Sequence, residues 1–314
     1  MDAPAHAAPG DAWPKRAVGN RNPPVPVVAR ATSRARHKIR VRPGRAAQYG
    51  LLIFTVGLTA LPLVWMVLSS VKPDRESAAY PPTLWPHSVT LANFQNLFRV
   101  SDFSSYLANS AFLATATTAL TLLLATVAAY ALTRFAFRLL LALGELSLLA
   151  YMVPPILLLV PIARIVTGAH LANSLPALVI VYTSNLLPFG LWILRSYFEG
   201  IPIELEHAAM VDGCTRFGAF YRVILPQATP GIISTGIFTF NAAWSEYLFA
   251  STLLNGADKM TLSPGLALLM DQTGVYSWGM LMAAATLVTV PVIALFIIAQ
   301  KQLVAGWGEG ALKG

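Results

Sequence analysis

The sequence GIPIELEHAAMVDGCTRFGAFYRVILP, residues 200–226, is a polar stretch with its own helix signals between two long apolar runs. Pro202 suits a first helical turn, where its missing N–H is not needed. Glu204 and Glu206 follow in that turn, where the positive end of the helix dipole favours acidic side chains. Gly213 can adopt the positive φ that a turn requires. The stretch is therefore predicted to contain a short helix that ends at a glycine turn.

A second short helix is predicted after that turn. Thr215 can cap it with its hydroxyl, and Phe217, Phe220 and Tyr221 then fall at i, i+3 and i+4, on one face. Pro226 is expected to stop the helix, because proline cannot continue the backbone hydrogen bonds. A loop with two helices and an aromatic face indicates either docking to another protein or packing against the rest of the chain.

The sequence around this loop is that of a membrane protein. Of its 314 residues, 56% are hydrophobic and 11% are charged, and the mean hydropathy is +0.61. A soluble domain carries about 25% charged residues, so the composition excludes an ordinary cytosolic globule and a disordered chain. A membrane-spanning helix needs about 20 mostly apolar residues. Six runs meet that length and predict an all-α, polytopic membrane protein with six transmembrane helices: 46–71, 103–133, 139–163, 171–194, 231–255 and 272–300.

Basic residues are concentrated at the N-terminus. Residues 1–45 hold ten Lys and Arg and two acidic residues, without apolar periodicity. We predict a disordered basic tail over 1–45 and a transmembrane domain over 46–314. Because Lys and Arg favour the cytoplasmic side, the N-terminus is expected in the cytoplasm, and six spans return the C-terminus there. The tail is expected to act as a topology signal or to contact anionic membrane lipid.

Motifs for catalysis are missing from the sequence. No G-x-x-x-x-G-K-[ST] run occurs, so a P-loop for nucleotide phosphates is excluded. The five histidines are scattered and Cys214 is the one cysteine, so no catalytic residue, metal site or cofactor is predicted in this chain. The positive charge does not alternate with aromatic residues, which argues against nucleic-acid binding. Uphill transport by this chain would need an ion gradient or a separate subunit.

Residues 207–213 read HAAMVDG, and Ile224-Leu225-Pro226 follow. This segment resembles the EAA loop of the permeases of bacterial ABC importers, whose pattern is E-A-A-x-x-x-G followed by I-x-L-P. His207 stands at the position of the motif glutamate, with Glu206 beside it, and the isoleucine lies one residue closer to Leu225 than in that pattern. The resemblance implies an ATPase-coupling loop that contains Glu206, His207, Ala208, Ala209, Asp212, Gly213, Leu225 and Pro226.

The resemblance extends over about residues 50–314. Residues 129–135 (AYALTRF), 243–247 (AWSEY) and 304–314 (VAGWGEGALKG) are similar to segments of the carbohydrate-type permeases. Ser245 replaces the asparagine of the family's W-N-E-F segment. The tail over 1–45 lies outside the resemblance.

This resemblance implies the type I permease fold of ABC importers, with the cytoplasmic coupling loop at about 198–228. It also implies an assembly in which a second homologous permease completes the pore. Two ATPase subunits would bind ATP and Mg, and an extracytoplasmic binding protein would deliver a sugar, either a monosaccharide or an oligosaccharide. The helix over 207–213 would insert into the ATPase, whose closure would drive alternating access across the inner membrane of a bacterium. The chain itself would be a transport subunit, not an enzyme.

Glu246 lies inside a predicted span, where a charge costs at least about 2.5–3.5 kcal/mol and normally faces the bundle interior. It is expected either to hydrogen-bond sugar hydroxyls, with Trp244 as a stacking platform, or to fix helix packing. Asn241, Asn185 and Tyr182 are further candidates for the substrate path. Three alternatives stay open: an ABC permease for a non-sugar solute, an ion-coupled carrier in which Glu246 titrates, and a membrane enzyme acting on lipid-linked substrates. The enzyme would need paired catalytic groups at one interface, and the sequence shows none.

Overall fold

The computed structural model describes residues 43–135, 138–272 and 277–311. Most of the predicted tail lies outside the described residues, and helix α1 begins at Pro43. The chain divides into two compact units, Met1–Ile53 and Phe54–Gly314. Of the smaller unit, the structure describes only the first turns of α1.

All the regular elements in the described part of the chain are helices, which confirms the all-α prediction. The first seven are α1 (Pro43–Ser70), α2 (Asp74–Ser77), α3 (Ala92–Val100), α4 (Phe103–Arg134), α5 (Arg138–Tyr151), α6 (Pro155–Gly168) and α7 (Leu175–Glu199). The next three are α8 (Ile203–Val211), α9 (Arg216–Ala219) and, after a π-helical turn over Phe220–Ile224, α10 (Leu225–Gln227). The last four are α11 (Thr229–Trp244), α12 (Leu248–Leu253), α13 (Leu262–Gln272) and α14 (Trp278–Ala311).

Four helices in the described ranges are long and apolar enough to cross a membrane: Ala47–Ser70, Phe103–Arg134, Leu175–Glu199 and Trp278–Gln300. Two bent helix pairs also pass when each pair is taken together: Leu141–Tyr151 with Pro155–Gly168, and Arg216–Gln227 with Thr229–Trp244. The predicted count of six is therefore reached when each bent pair is one span.

Two predicted spans differ in shape from straight helices. The predicted span 139–163 bends by 107° between α5 and α6, because Pro154 and Pro155 lack N–H donors and disfavour helix at the residue before them. The predicted span 231–255 ends early, since α11 stops at Trp244 and α12 begins only at Leu248. By contrast, α1, α7 and α14 each continue through an internal proline.

The core is built by α4, α7 and α11, which pack on one another over much of their length. Small residues permit this approach: a Cβ placed on Gly190 of α7 would lie 3.2 Å from the methyl of Thr235 and 3.4 Å from that of Thr121. Within the described residues, the hydroxyls of several buried threonines on these helices have no hydrogen-bond partner. These are Thr117, Thr121, Thr183, Thr235 and Thr239.

The segment between α1 and α3 is fixed by polar contacts. The Glu76 carboxylate accepts hydrogen bonds from the Thr83 hydroxyl at 2.9 Å and from the His87 backbone N–H at 3.0 Å, and it pairs with His87 Nδ1 at 2.9 Å. Buried Lys72 donates to the carbonyl oxygen of Thr83. Asn93 Nδ2 donates to the Lys72 carbonyl oxygen at 2.7 Å. These bonds tie the segment to both of its flanking helices.

Candidate functional sites: the loop between α7 and α11 and the cavity at Glu246

The loop between α7 and α11 has the two-helix form that the sequence predicts. Glu204 and Glu206 lie in the first turn of α8, directly after Pro202. Gly213 follows with φ of +89°, and its N–H donates to the Met210 carbonyl oxygen at 3.1 Å. The predicted positive-φ turn is therefore confirmed.

The second half of the loop is less regular than the sequence suggests. The Thr215 hydroxyl accepts a hydrogen bond from the Gly218 N–H at 3.1 Å, which confirms the predicted cap. The π-helical turn then rotates Phe220 inward, while Phe217 and Tyr221 stay 76% and 63% exposed. The prediction that Pro226 stops the helix is wrong. Pro226 lies near the start of α10, where no backbone N–H is needed. The 70° bend comes after it, between α10 and α11.

The residues predicted for the coupling loop divide between an exposed face and a buried face. The exposed ones are His207, Ala208, Asp212, Gly213 and Pro226. Leu225 is half-buried, and Ala209 is buried. Glu206 is 2% exposed, so its side chain points into the protein and away from the face that could meet a partner.

The carboxylate of Glu206 joins three elements. Its Oε1 accepts a hydrogen bond from the Tyr130 hydroxyl of α4 at 2.8 Å. Its Oε2 forms an ion pair with Arg134 Nε, at the end of α4, at 3.2 Å. Arg216 Nε of α9 lies 3.6 Å from Oε1. Arg134 also donates through Nη2 to the Ile201 carbonyl oxygen at 2.9 Å, just before α8.

An aromatic cluster surrounds the Tyr130 end of this carboxylate site. The Tyr130 ring centroid lies 4.5 Å from that of Phe220 and 6.3 Å from those of Phe198 and Phe135. The Arg216 guanidinium stands 5.2 Å over the Phe135 ring. The rings exclude water from one side of the charges, which strengthens their interaction.

The sequence does not indicate that Tyr130, Arg134 and Arg216 are the partners of the Glu206 carboxylate. Tyr130 and Glu206 are separated by 76 positions in the chain, so no local pattern joins them. The available signal was weak: an arginine that closes an uncharged span, and a second arginine after the glycine turn. Neither indicates its partner.

The second candidate site is a cavity of about 360 Å³ at the break between α11 and α12. Three of the predicted path residues line it, namely Tyr182, Asn185 and Glu246. The remaining lining residues are Pro155, Leu186, Ala242, Tyr247, Leu248 and Phe249. Few polar groups in an apolar wall are typical of a small-molecule site.

Glu246 is held by several hydrogen-bond donors. Its Oε1 accepts from the Phe249 N–H at 2.8 Å, and its Oε2 accepts from the Ala250 N–H at 3.1 Å. The Tyr182 hydroxyl of α7 also donates to Oε2. The carboxylate thus satisfies the free N–H groups at the start of α12 and connects that helix to α7.

The other two predicted path residues lie elsewhere. Trp244 is 4% exposed, and its indole N–H donates to the Val288 carbonyl oxygen of α14 at 3.2 Å. It stacks on Phe240 with 5.6 Å between ring centroids. Asn241 is exposed and does not line the cavity. The structure therefore places Trp244 in helix packing and not as an open stacking platform.

In the described ranges, no three His, Cys, Asp or Glu side chains are close enough to share a metal ion.

Comparison with known proteins gives consistent matches over most of the chain. The family model described as "binding-protein-dependent transport system inner membrane component" matches residues 121–308. The sulfoquinovosyl glycerol transport system permease protein of Agrobacterium fabrum is 37% identical over 81% of this chain and 88% of its own length. The diacetylchitobiose uptake system permease protein of Streptomyces coelicolor is 34% identical over 84% of this chain and 95% of its own length.

A solved structure shares the fold. It is the crystal structure of a bacterial ABC transporter involved in the import of the acidic polysaccharide alginate, with a TM-score of 0.71 and 18% identity. The match covers 89% of this chain and 100% of the matched chain. The described helices therefore have the arrangement of an ABC importer permease.

Proposed function

The chain belongs to the family of inner membrane components of binding-protein-dependent transport systems, and from that membership we propose that it carries a sugar inward by ATP-driven alternating access. The proposal rests on the two-helix form of the loop between α7 and α11. Its α8 helix and positive-φ glycine form a compact unit outside the apolar spans. The names of the relatives, which include permeases for sulfoquinovosyl glycerol and diacetylchitobiose, support a sugar as the solute.

We propose the partners from the same membership. A second, homologous permease completes the pore, and two ATPase subunits hold ATP and Mg, since this sequence has no P-loop. An extracytoplasmic protein delivers the sugar. The exposed residues His207, Ala208, Asp212 and Gly213 form the face that docks to the ATPase. Small Ala208 permits a close approach at that face.

The sugar path is proposed to pass the cavity at the α11–α12 break. Tyr182, Asn185 and Glu246 line it, and their oxygen and amide groups can exchange hydrogen bonds with sugar hydroxyls. Trp244 and Asn241 do not line it and are left out of the proposed path. An ion-coupled carrier is less well supported, because the Glu246 side chain is already held by hydrogen bonds from α7 and from the start of α12.

The proposed orientation has both termini in the cytoplasm, so the loop between α7 and α11 faces the ATPase. The basic residues of the first 45 positions support this orientation. A reporter enzyme fused after Gly314, active only in the cytoplasm, should be active. An inactive fusion in a chain that still inserts would contradict the orientation.

The test of the function is reconstitution. The full chain is coexpressed with the second permease, ATPase and binding protein, purified, and placed in proteoliposomes. Labelled diacetylchitobiose and sulfoquinovosyl glycerol, the solutes named for the two relatives, are then offered as probes. We expect the ATPase to copurify and ATP to drive uptake of at least one probe. An ATPase that never copurifies, or uptake driven by a proton gradient without ATP, would contradict the proposal.

A further inference from the structure

We propose that the buried Glu206 carboxylate is the positioning group that couples the loop between α7 and α11 to α4, so that movement of the docked loop moves that membrane helix. This inference rests on the proposed ATPase-docking function of the loop. It assigns Glu206 a role different from that of its exposed neighbours in the same motif.

The ion pair between Glu206 and Arg134 is buried. Glu206 is 2% exposed and the Arg134 side chain is 6% exposed, and the two side chains form an ion pair at 3.2 Å. Taking such charges out of water is costly unless each is paired and hydrogen-bonded, and removing one partner leaves the other uncompensated. A charge at this place is therefore tied to its partners and resists separation from them.

Two partners of the Glu206 carboxylate lie at the end of a membrane span. Tyr130 and Arg134 are on one turn at the end of α4, and both reach the carboxylate of α8. Arg134 also holds the Ile201 carbonyl, which directly precedes α8. The backbone joins α8 to α7 on one side and, through the glycine turn, to α9 on the other, so these side-chain bonds provide α8 with a separate connection to α4.

Arg216 extends the connection across the glycine turn. Its guanidinium lies 3.6 Å from the Glu206 carboxylate and over the Phe135 ring, just past the end of α4. Both halves of the loop thus meet at one carboxylate beside α4. A force applied to either half is transmitted to the same point on that span.

The docking face is separate from this connection. His207 and Ala208 of the docking face are exposed on α8. Glu204, which lies one half-turn before Glu206, is also exposed but is not one of the docking-face residues. Glu204 and Glu206 are the same residue type on the same helix, and they differ in burial and partners. This pair provides a matched control for charge and for helix propensity.

The experiment compares Glu206→Gln with Glu204→Gln in the full reconstituted complex. Glutamine keeps the shape and can still accept the Tyr130 hydrogen bond, but it cannot balance Arg134. We expect Glu206→Gln to keep ATPase binding within about twofold while sugar transported per ATP falls by about tenfold or more, since a buried pair is strongly coupled. Glu204→Gln should stay within about twofold in both measurements.

Tyr130→Phe is the milder second variant, because it removes one hydroxyl and keeps the ring. It should assemble normally and lower sugar transported per ATP by about three- to fivefold, the size of one hydrogen bond. Equal sugar per ATP in Glu206→Gln and the parent would overturn the proposal. If Glu206→Gln fails to assemble, a fully coupled Tyr130→Phe would overturn it instead.

These outcomes differ from a failure of the proposed function. That failure would appear in the parent complex, as an ATPase that does not copurify or as absent ATP-driven uptake, and it would remove both proposals together. A coupled parent with a coupled Glu206→Gln variant would remove only this inference.

Discussion

Gly213 is the residue whose backbone most constrains the loop between α7 and α11. Its φ of +89° lies where side chains other than glycine are strained, while an added Cβ would meet no described atom within 4 Å. Gly213→Val should therefore cost about 1–3 kcal/mol through the backbone alone. We expect the chain to insert and fold, and stimulation of the ATPase by loaded binding protein to fall about fivefold or more.

Gly213→Asn is the matched variant, because asparagine tolerates a left-handed backbone better than valine. Gly213→Asn should recover most of the stimulation of the ATPase by loaded binding protein.

His207→Glu restores the family's motif residue on the exposed face and should leave this stimulation within about twofold. Full coupling in Gly213→Val would mean that the glycine turn does not position α8.

Glu76 is a second residue with a measurable consequence. The backbone and ring of His87 and the Thr83 hydroxyl hold its pKa down, from 4.5 to about 2. Because the pKa is lower in the folded state, its contribution to stability is complete above about pH 4.5 and is lost as the pH falls towards 2. The segment from α2 to α3 should therefore loosen in that acidic window.

Trp85 lies in this segment and is 72% exposed, so its fluorescence can report the loosening. We expect the difference spectrum between the parent and Trp85→Phe to be constant from neutral pH to about 4.5 and to change below it. In a Glu76→Gln background the change should disappear. The same acid transition in both backgrounds would show that Glu76 is not its origin.

At the scale of elements, α7 and α11 approach closely because Gly231 has no side chain. A Cβ there would lie 2.5 Å from Tyr197 Cγ. Gly231→Ala should force the helices apart and destabilise the protein by about 1–3 kcal/mol. The measurement is the midpoint of thermal unfolding in detergent.

Gly57→Ala in α1 is the control, because its Cβ would meet no described atom within 4 Å. Alanine favours helix over glycine by up to about 1 kcal/mol, so this variant should unfold at the same temperature or slightly higher. An equal loss in both variants would exclude the contact with Tyr197 as the cause. Adding Tyr197→Ala to Gly231→Ala should relieve the clash.

A second prediction for the elements concerns the break between α11 and α12. Both carboxylate oxygens of Glu246 accept hydrogen bonds, whereas glutamine has one acceptor oxygen. Glu246→Gln therefore leaves at least one of three donors unpaired: the Phe249 N–H, the Ala250 N–H or the Tyr182 hydroxyl. Glu246→Gln should destabilise the protein by about 1–3 kcal/mol and alter sugar uptake while ATPase binding is retained. Tyr182→Phe should cost less, about 1 kcal/mol. Unchanged stability in Glu246→Gln would contradict the role of Glu246 in holding α12.

The elements that the sequence predicts well are those set by local chemistry. Gly213 and Thr215 behave as predicted, because a glycine turn and a hydroxyl cap depend on a few neighbouring residues. The shapes of the bent spans could not be predicted, since a proline can kink a helix, break it or lie within it. Pro62 lies within the continuous α1, whereas Pro154 and Pro155 accompany a 107° bend.

At the scale of the whole molecule, the sequence predicts class and function better than it predicts contacts. Apolar runs and the loop motif indicate a permease, and the family match agrees. The prediction that Glu206 belongs to the coupling loop together with His207 did not anticipate that Glu206 points to Tyr130 and Arg134 of α4. Likewise, Trp244 is adjacent to the cavity in sequence, yet it packs on α14. Such partners depend on how the helices are arranged in space.

A prediction for the whole molecule concerns energy supply. The purified chain should hydrolyse no ATP, because its sequence offers no loop for the phosphates. Phosphate release is measured in a preparation shown by mass spectrometry to be free of ATPase subunits. Hydrolysis above that of an empty-vector preparation would contradict this prediction.

The buried threonines of α4, α7 and α11 have a mechanical consequence. The methyl groups of Thr121 and Thr235 lie 3.4 Å and 3.2 Å from the position that a Cβ on Gly190 would occupy, and their hydroxyls make no hydrogen bond within the described residues. Methyl surfaces whose neighbouring hydroxyls make no hydrogen bond within the described residues offer little resistance to a lateral shift of one helix past another. Shear of packed helices is one of the ways in which proteins change conformation. A small lateral shift of one of these helices past another would therefore not have to break a hydrogen bond of these threonine hydroxyls.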